Sequence, residues 1–526
     1  MNRILKVSIL SLGLLFTSSC RVDNFYDPGV IYEEEALLSS ADLQLLLNST
    51  YNIMGSRGES EFVSILTDEV GIGYANGGQG LNDEYVFFMN SGSGLPSTIW
   101  GDSYLGIARV NRILDGIEKI TPKDAADART IDNIKAQALT LRAYGHLRVL
   151  AYFTTDMTDD SALAGLIADR MYGIDENDFP RRTNGDVYAF IHKDLDDAIS
   201  LFNSSLLPAN DPNRANVNFA RGLKARAYSY KEDYVNAELY ANQVISTSNV
   251  ALANKVQYRS IFWQDASVPT VETIFRFQRN VQQNDQDTNL HNAWFSLRPW
   301  ATGSPFYEVS RALHNKLNPT NSPNANTFAT TIPDVRANVI IGPDSTIDPN
   351  YEVSADYLNS DKLIINKHGG RQNTSASPWA YTQSNAPNNS FKIMRISEMY
   401  MIVAEARAAA GDFVGVGNTL KTVRDARFGG ATVPLIATTP QQAWKYILDE
   451  RRLEFAFEGF RFLDLKRLGM KAGSGIDRHP IDYSSPSTNY PAANPINMPL
   501  NSHKWALPIP NMEINVNTMI VQNPGY

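Results

Sequence analysis

"NVNFARGLKARAYSYKEDYVNAELYANQVIS", residues 216–246, contains the pattern that decides the fold. Two stretches with helical periodicity flank a short polar turn in this segment. Around the turn, small and aromatic residues follow the spacing A-x2-Y-x5-Y-x2-A, formed by Ala225, Tyr228, Tyr234 and Ala237. Small residues let two paired helices approach closely, and aromatic residues fill the gap between them. The segment therefore predicts a helical hairpin.

A second segment far along the chain, "MIVAEARAAAGDFVGV" at 401–416, repeats this spacing. Its corresponding positions are Ala404, Arg407, Phe413 and Val416. Gly411-Asp412 supplies the turn, and Arg replaces the first Tyr. The spacing resembles that of tetratricopeptide hairpins, with generic helical hairpins as the alternative. Because the two copies lie far apart, we expect hairpins that are scattered along the chain and pack together in space, not a tandem solenoid.

The remaining periodicity predicts a mostly α-helical protein with one irregular region. One helix is expected to begin near Ser39, with Asp42 as a cap. Further helices are predicted over 100–120, 131–153 and 186–202. Residues 71–96 are rich in Gly and Asn and predict a loop.

Residues 250–390 differ from the rest of the chain because Pro, Asn, Ser, Thr and aromatic residues dominate there. The segments 272–280 ("ETIFRFQRN") and 362–368 ("KLIINKH") read as short strands within this region. Long irregular segments on a rigid scaffold commonly carry function. We therefore predict a loop-rich insertion on a helical scaffold, with the ligand surface in the insertion.

The composition favours a globular protein that binds neutral, polar ligands. Hydrophobic residues make up 43% of the chain and charged residues 20%. The net charge of −9 argues against nucleic acid as a partner, since that would require a basic face. The chain also holds 7 Trp, 24 Tyr and 23 Phe.

Cys20 is the only cysteine of the 526 residues. Arg3 and Lys6 precede an apolar run, Val7 to Phe16, which is as long as the hydrophobic part of a signal peptide. Small residues then lead directly to the cysteine, a lipobox-like pattern. The sequence thus predicts an exported lipoprotein with Cys20 acylated, and an ordinary secretory signal is the alternative.

Residues 447–469, "ILDERRLEFAFEGFRFLDLKRLG", are unusually rich in charge for an apolar helical segment. Arg451 and Glu454, Glu458 and Arg461, and Asp464 and Arg467 are opposite charges three residues apart, which makes the members of each pair neighbours on a helix. Three interpretations are open: catalytic carboxylates, a solvated helix with salt bridges, or charges that satisfy one another and the nearby backbone inside the scaffold.

Three C-terminal segments together resemble the SusD/RagB family of outer-membrane nutrient-binding lipoproteins. They are "RISEMYMIVAEA" (395–406), "ERRLEFAFEGFRFLDLKRLG" (450–469) and "LPIPNMEINVNTMIVQNPGY" (507–526), and their order and position match the family pattern. The helical stretches at 131–153 and 216–246 and the lipobox also fit.

The resemblance implies a tetratricopeptide-like scaffold and a binding protein that is not an enzyme. Such a protein is lipid-anchored at the outer face of the outer membrane, captures glycans and delivers them to a SusC-like TonB-dependent transporter. The resemblance also implies that the 450–467 segment is scaffold.

The expected organisation has five parts. They are a signal peptide (1–19), a lipid anchor and tether (20–38), an N-terminal helical region (39–249), the loop-rich region (250–390) and a C-terminal SusD/RagB-type region (391–526).

Two other functions remain open: a peptide-uptake lipoprotein of the RagB kind, and a surface glycoside hydrolase. The sequence contains no H-E-x-x-H, G-x-S-x-G or phosphate-binding G-x-x-x-x-G-K-[ST] motif. A glycosidase, however, needs two carboxylates at a fixed separation, and the 56 acidic residues could supply these without a visible motif. No cofactor is expected. A calcium ion near Asn284–Asp287 is left open.

The predicted ligand site combines aromatic rings, which cover the apolar faces of sugars, with polar side chains that bind hydroxyl groups. Tyr74 and Asn76 lie among glycines after Thr67-Asp68, in the position where the family often places a binding aromatic. Trp294, Arg298 and Trp300 lie in the irregular region. We expect the three rings to form a platform, with Asn76 and Arg298 at its edge.

Other aromatic residues have different expected roles. Trp379 and Tyr381 form a weaker candidate for ligand contact. Trp100, at the head of a predicted helix, is expected to be a core residue instead.

Overall fold

The structure, a computed structural model, describes residues 37–55, 58–73, 83–173, 175–204, 211–263, 271–278, 306–343, 345–368, 390–484 and 494–526. Within these ranges the chain is mostly helical, as the sequence predicts. The longer helices are α1 (Ser40–Met54), α2 (Gly58–Leu66), α3 (Gly94–Lys119), α4 (Ala125–Phe153), α5 (Asn184–Ser204), α6 (Val217–Tyr230), α7 (Tyr234–Thr247), α8 (Lys255–Trp263), α13 (Ile396–Ala409), α14 (Phe413–Phe428), α15 (Pro440–Phe455) and α16 (Arg461–Ala472).

Shorter elements lie between and after these helices. The short helices are α9 (Arg311–Leu317), α10 (Phe328–Thr331), α11 (Val335–Ile340), α12 (Tyr357–Ser360), α17 (Ile481–Ser484) and α18 (Asn511–Ile514). The strands are β1 (Val70–Ile72), β2 (Thr273–Phe277), β3 (Tyr307–Val309) and β4 (Phe391–Arg395). β1 pairs antiparallel with β3, and β2 pairs antiparallel with β4.

The two predicted hairpins form as α6–α7 and α13–α14. Their small interface residues Ala225, Ala237 and Ala404 are fully buried. α7 also packs on α13, so the two hairpins contact each other. An ion pair of 2.7 Å between Glu238 of α7 and Arg407 of α13 bridges them. This contact confirms that hairpins distant in the sequence pack together in space.

The central helix is α4, which packs against α3, α5 and α6. From Ala136 to Phe153 every residue of α4 is buried. A helix that is buried on all sides must lie inside the protein, and helices of both flanking regions cover it. The large hydrophobic core is built around this helix.

Helix α1 starts where the sequence predicts but has a different cap, and α3 and α4 start earlier than predicted. Ser39, not Asp42, caps α1, because the Ser39 hydroxyl accepts from the Asp42 backbone N–H at 3.4 Å. The Asp42 carboxylate accepts in return from the Ser39 hydroxyl at 2.7 Å. Helix α3 begins at Gly94 instead of residue 100, since Pro96 is tolerated in a first helical turn. Helix α4 begins at Ala125 instead of residue 131, and the Asp124 carboxylate caps it by accepting from the Ala126 and Asp127 backbone N–H groups.

Two predictions for β structure have different outcomes. Residues 272–280 contain strand β2, as expected. Residues 362–368 do not form a strand. They contribute isolated bridges from Lys362 to Thr346 and from Ile365 to Ile341.

The charged segment 447–469 is not one continuous helix. α15 ends at Phe455, and the chain turns through Phe457 and Gly459, which have positive φ angles of 63° and 84°. α16 starts at Arg461. Residues on either side of this turn are therefore not neighbours on one helical face. The turn itself packs into a second hydrophobic cluster with β1, β3 and α9.

Candidate functional site

The described ends of the two segments predicted to bind ligand meet at one edge of the β1–β3 sheet. Ile72 and Tyr307 are register partners, and the Gly73 N–H donates to the Phe306 carbonyl at 2.9 Å. Gly73 directly precedes Tyr74, and Phe306 follows the segment that contains Trp294 and Trp300. We call Gly73, Tyr85, Phe306 and Tyr307 the β1–β3 edge.

Aromatic rings dominate this edge. Tyr85 and Tyr307 stack with ring centroids 6.2 Å apart, and Phe306 packs edge-to-face on Tyr307 at 4.9 Å. The Arg478 guanidinium lies 4.0 Å from the Tyr85 ring centroid and donates to the Tyr85 carbonyl at 2.6 Å. Tyr85 is fully buried, whereas Phe306 and Tyr307 are half-buried. Tyr307 therefore packs against a fully buried ring, and Phe306 packs against Tyr307.

Two buried carboxylates hold the elements beneath the edge. Asp482, in α17, accepts from the Arg311 backbone N–H at 3.1 Å. Glu69, just before β1, accepts from the Phe457 N–H at 3.0 Å and from the Ser64 hydroxyl at 2.7 Å. Burial raises the pKa of Asp482 to about 7 and that of Glu69 to about 7. These carboxylates tie β1 to the segments that pack against it.

Asp68 connects the same region to the C-terminal helices. Its carboxylate accepts from Arg461 Nε at 2.8 Å and Nη2 at 2.7 Å, and it lies 3.3 Å from Arg452. Burial alone would raise the pKa of Asp68, but the two guanidinium groups outweigh it and hold that pKa below its usual range. Asp68 thus joins the residues before β1 to α15 and α16.

The charges of 450–467 satisfy one another inside the scaffold. The Glu454 side chain is fully buried and lies 2.5 Å from Arg395 Nη1 and 2.7 Å from Arg427 Nη2. Both guanidinium groups also contact Glu272, at 2.5 and 2.6 Å. Glu458 pairs with Arg395 at 2.8 Å. These carboxylates are enclosed by arginine side chains, which favours the third interpretation of this segment, charges that satisfy one another inside the scaffold.

The predicted pairs within this segment are partly replaced by longer-range ones. Asp464 and Arg467 pair at 3.4 Å, as helical spacing predicts. Arg451 pairs with Glu405 at 3.3 Å and Asp464 at 2.8 Å, not with Glu454.

The predicted site residues lie outside the described residues: Cys20, Tyr74, Asn76, Trp294, Arg298, Trp300, Trp379 and Tyr381. So does the calcium candidate at 284–287. Trp100 confirms its expected core role, since it is 1% exposed and its ring centroid lies 4.9 Å from that of Phe153. Its Nε1 donates to Glu513 at 3.2 Å.

Sequence reasoning missed the aromatic residues of the β1–β3 edge. Tyr85 lies within the stretch predicted as a Gly/Asn-rich loop, and Phe306 and Tyr307 follow the predicted tryptophans without any distinctive spacing. The pairing of β1 with β3 joins residues more than 230 positions apart. Strands so far apart are not joined by a short turn, so no local hairpin pattern in the sequence could have predicted this pairing.

The described ranges contain neither a candidate metal site nor a candidate membrane-spanning helix. No group of three or more His, Cys, Asp or Glu residues there could hold a metal ion. None of the helices in these ranges is both long and apolar enough to cross a membrane.

Family models match two large parts of the chain. The model of the SusD family matches residues 271–526. A second model, described as starch-binding and associating with the outer membrane, matches residues 32–228. No curated protein matches the chain.

Solved structures share the fold over nearly the whole chain. A SusD superfamily protein from Bacteroides thetaiotaomicron is 20% identical, with a TM-score of 0.71 over 93% of this chain and 100% of its own. A SusD superfamily protein from Bacteroides vulgatus is 21% identical, with a TM-score of 0.68 over 93% and 99%. A laminarin-binding SusD-like protein is 21% identical, with a TM-score of 0.64 over 93% and 100%.

Proposed function

This chain belongs to the SusD family, and from that premise we propose that it captures glycans at the cell surface and delivers them to a SusC-like TonB-dependent transporter. Two family models that together match most of the chain support binding of carbohydrate and association with the outer membrane. The laminarin-binding structure of the same fold adds support for a glycan ligand.

The observation that supports the proposal is that Gly73 and Phe306, the described residues next to the two predicted ligand segments, meet at the β1–β3 edge. Tyr74 is bonded to Gly73, so consecutive Cα atoms place it about 3.8 Å from that residue. Trp300 precedes Phe306 by six residues, a span of at most about 21 Å when fully extended. Chain connectivity therefore allows Tyr74 and Trp300 to contribute to one binding surface.

The chemistry of this edge suits a sugar ligand. A pyranose ring presents C–H groups on its face, which an aromatic ring can cover, while polar side chains fix the orientation of the hydroxyls. Phe306 and Tyr307 are half-buried at this edge. We propose that Tyr74, Trp294 and Trp300 extend this aromatic surface and that Asn76 and Arg298 bind hydroxyl groups beside it.

Attachment to the membrane completes the proposed function. Acylation of Cys20 would make residues 20–38 the anchor and tether, of which Leu37 is the first described residue. Leu37 packs close to Gly116 of α3, because a Cβ atom added to Gly116 would lie only 2.9 Å from the Leu37 side chain. The proposed tether would therefore join the scaffold beside α3.

Isothermal titration of Trp294→Ala and Trp300→Ala against glycans tests the platform. Removing one stacked ring should cost about 1–3 kcal/mol, which is about five- to a hundred-fold in affinity. Tyr172→Ala serves as the control, because the Tyr172 ring packs edge-to-face on Phe179 and against the Arg170 guanidinium in the α4–α5 connection, away from the β1–β3 edge. If both folded Trp variants bind as tightly as the wild type, the platform lies elsewhere.

Pull-down from detergent-solubilised outer membranes tests the transporter partner. A large β-barrel protein should be recovered in near-equal amount. Recovery of the protein alone under several mild detergents would contradict delivery to a transporter, while leaving glycan capture untouched.

A further inference from the structure

A groove of about 420 Å³ lies between α1, the loop at 211–214 and the end of β2. Its lining includes Asn48, Tyr51, Asp211, Asn213, Arg214 and Gln278. These residues come from three separate parts of the chain, and none of them belongs to the β1–β3 edge.

Tyr51 offers the groove an immobilised aromatic ring. Its hydroxyl donates to Gln137 at 2.7 Å and accepts from the Ala215 N–H at 2.9 Å. Phe275 and Phe277 lie beside it, with ring centroids 6.1 and 6.2 Å away. Both hydrogen bonds of the Tyr51 hydroxyl are made with protein groups. The half-buried ring is therefore the part of Tyr51 that a ligand could contact.

Side-chain amides around the ring have unused hydrogen-bond donors. The Asn213 Oδ1 atom accepts from Arg276 at 2.8 Å, and the Asn48 Oδ1 atom accepts from Gln44 at 2.9 Å. In the described part of the chain, neither Nδ2 group has an acceptor, and the exposed Gln278 amide has no partner. An amide donor and acceptor pair fits the adjacent hydroxyl groups of a sugar.

One weakly held charge pair completes the lining. Arg214 and Asp211 are 3.8 Å apart, and both side chains are more than 40% exposed. The pair adds no net charge and provides further donors and acceptors. The groove therefore combines an apolar ring with neutral polar groups.

A larger groove between α3, α4 and α5, of about 600 Å³, provides a contrast. Its charged residues pair with one another, as Arg142 does with Asp194 at 2.8 Å and Lys193 with Asp197 at 2.6 Å. Little binding capacity remains there for a neutral ligand.

We propose that the groove lined by Tyr51, Asn213 and Gln278 is a second binding site for a neutral polyhydroxylated ligand, namely a segment of a glycan chain. The ligand class rests on the proposed function, whereas the location rests on the ring and the unused amide donors. The site would hold the ligand independently of the β1–β3 edge.

Hydrogen–deuterium exchange of the full-length chain tests this site, with laminarihexaose and maltohexaose as separate probes. We expect slower exchange around Asn48–Asn52 and 211–215 with at least one probe. The variant Asn48→Ala/Gln278→Ala should weaken this protection, because losing two ordinary hydrogen bonds costs about tenfold in affinity. The matched control Asn242→Ala/Asn418→Ala removes two exposed helical amides elsewhere and should change nothing.

Each other outcome overturns a defined part of the reasoning. Protection confined to β1 and β3 would overturn the second site and leave the proposed function intact. Protection of the groove that is equal in the wild type and in Asn48→Ala/Gln278→Ala would refute the role of the amides. No protection anywhere with either probe would contradict both the second site and the proposed glycan ligand.

Discussion

The substitution Glu454→Gln should destabilise the protein strongly, although it changes neither the shape nor the size of the side chain. Glu454 is fully buried and accepts from Arg427 Nε at 2.9 Å, Arg427 Nη2 at 2.7 Å and Arg395 Nη1 at 2.5 Å. Burial would raise its pKa, but Arg427 and Arg395 hold the pKa well below the usual value. The carboxylate is thus charged, and the guanidinium groups depend on it.

The magnitude follows from the partners that remain. Removing one partner of a buried ion pair costs about 3–5 kcal/mol, since it leaves a buried charge uncompensated. Arg395 keeps Glu272 and Glu458, and Arg427 keeps Glu272. We therefore expect the lower end, a loss of about 3 kcal/mol in the free energy of unfolding. Glutamine retains the side-chain volume, so no cavity contributes.

Urea unfolding monitored by circular dichroism measures this loss. The matched control is Asp449→Asn on the same helix, because Asp449 is 33% exposed and pairs with Lys445 at 3.0 Å. Exposed pairs contribute about 0–1 kcal/mol, so the control should differ little from the wild type. If Glu454→Gln is no less stable than Asp449→Asn, the buried network does not hold the scaffold together.

Three further predictions concern the anchor and the β1–β3 edge. Cys20→Ser should abolish incorporation of a fatty-acid analogue in cells, and equal label on wild type and variant would exclude lipidation at this residue. Gly71→Ala should destabilise the protein by about 1–3 kcal/mol in urea unfolding, because the new Cβ would lie 2.6 Å from an Asp482 carboxylate oxygen. Gly94→Ala is its control, since nothing lies within 4 Å of a Cβ there, and equal losses would refute the steric argument. For pH, a folded pKa of about 7 in Asp482 and Glu69 means that the folded protein keeps protons which the unfolded chain loses near pH 4. The free energy of unfolding should therefore fall as the pH rises from about 4 to about 7. Asp482→Asn should make the urea midpoint less dependent on pH over this range. An unchanged pH dependence would show that Asp482 does not titrate there.

Local pattern was sufficient for the helical hairpins and for the family. The spacing around Ala225 and Ala404 reflects contacts between adjacent helices, which are close in sequence and so leave a periodic trace. The burial of Trp100 could likewise be predicted from its place in an amphipathic helix. The loop-rich character that composition predicts for residues 250–390 stays a prediction, and the described part of that range contains helices α8 to α12 and strands β2 and β3.

Pairing across long distances in the sequence could be decided only by the tertiary structure. Helical spacing predicted that Arg451 and Glu454 would be neighbours on one face, but Glu454 is enclosed by Arg395 and Arg427, and Arg451 pairs with Glu405 and Asp464 instead. A buried charge takes whichever partner the fold brings within reach, because leaving it unpaired costs more than any local preference. For the same reason the aromatic edge formed by Tyr85 and Tyr307, and the groove at Tyr51 and Asn213, exist only once strands and loops from distant parts of the chain have come together.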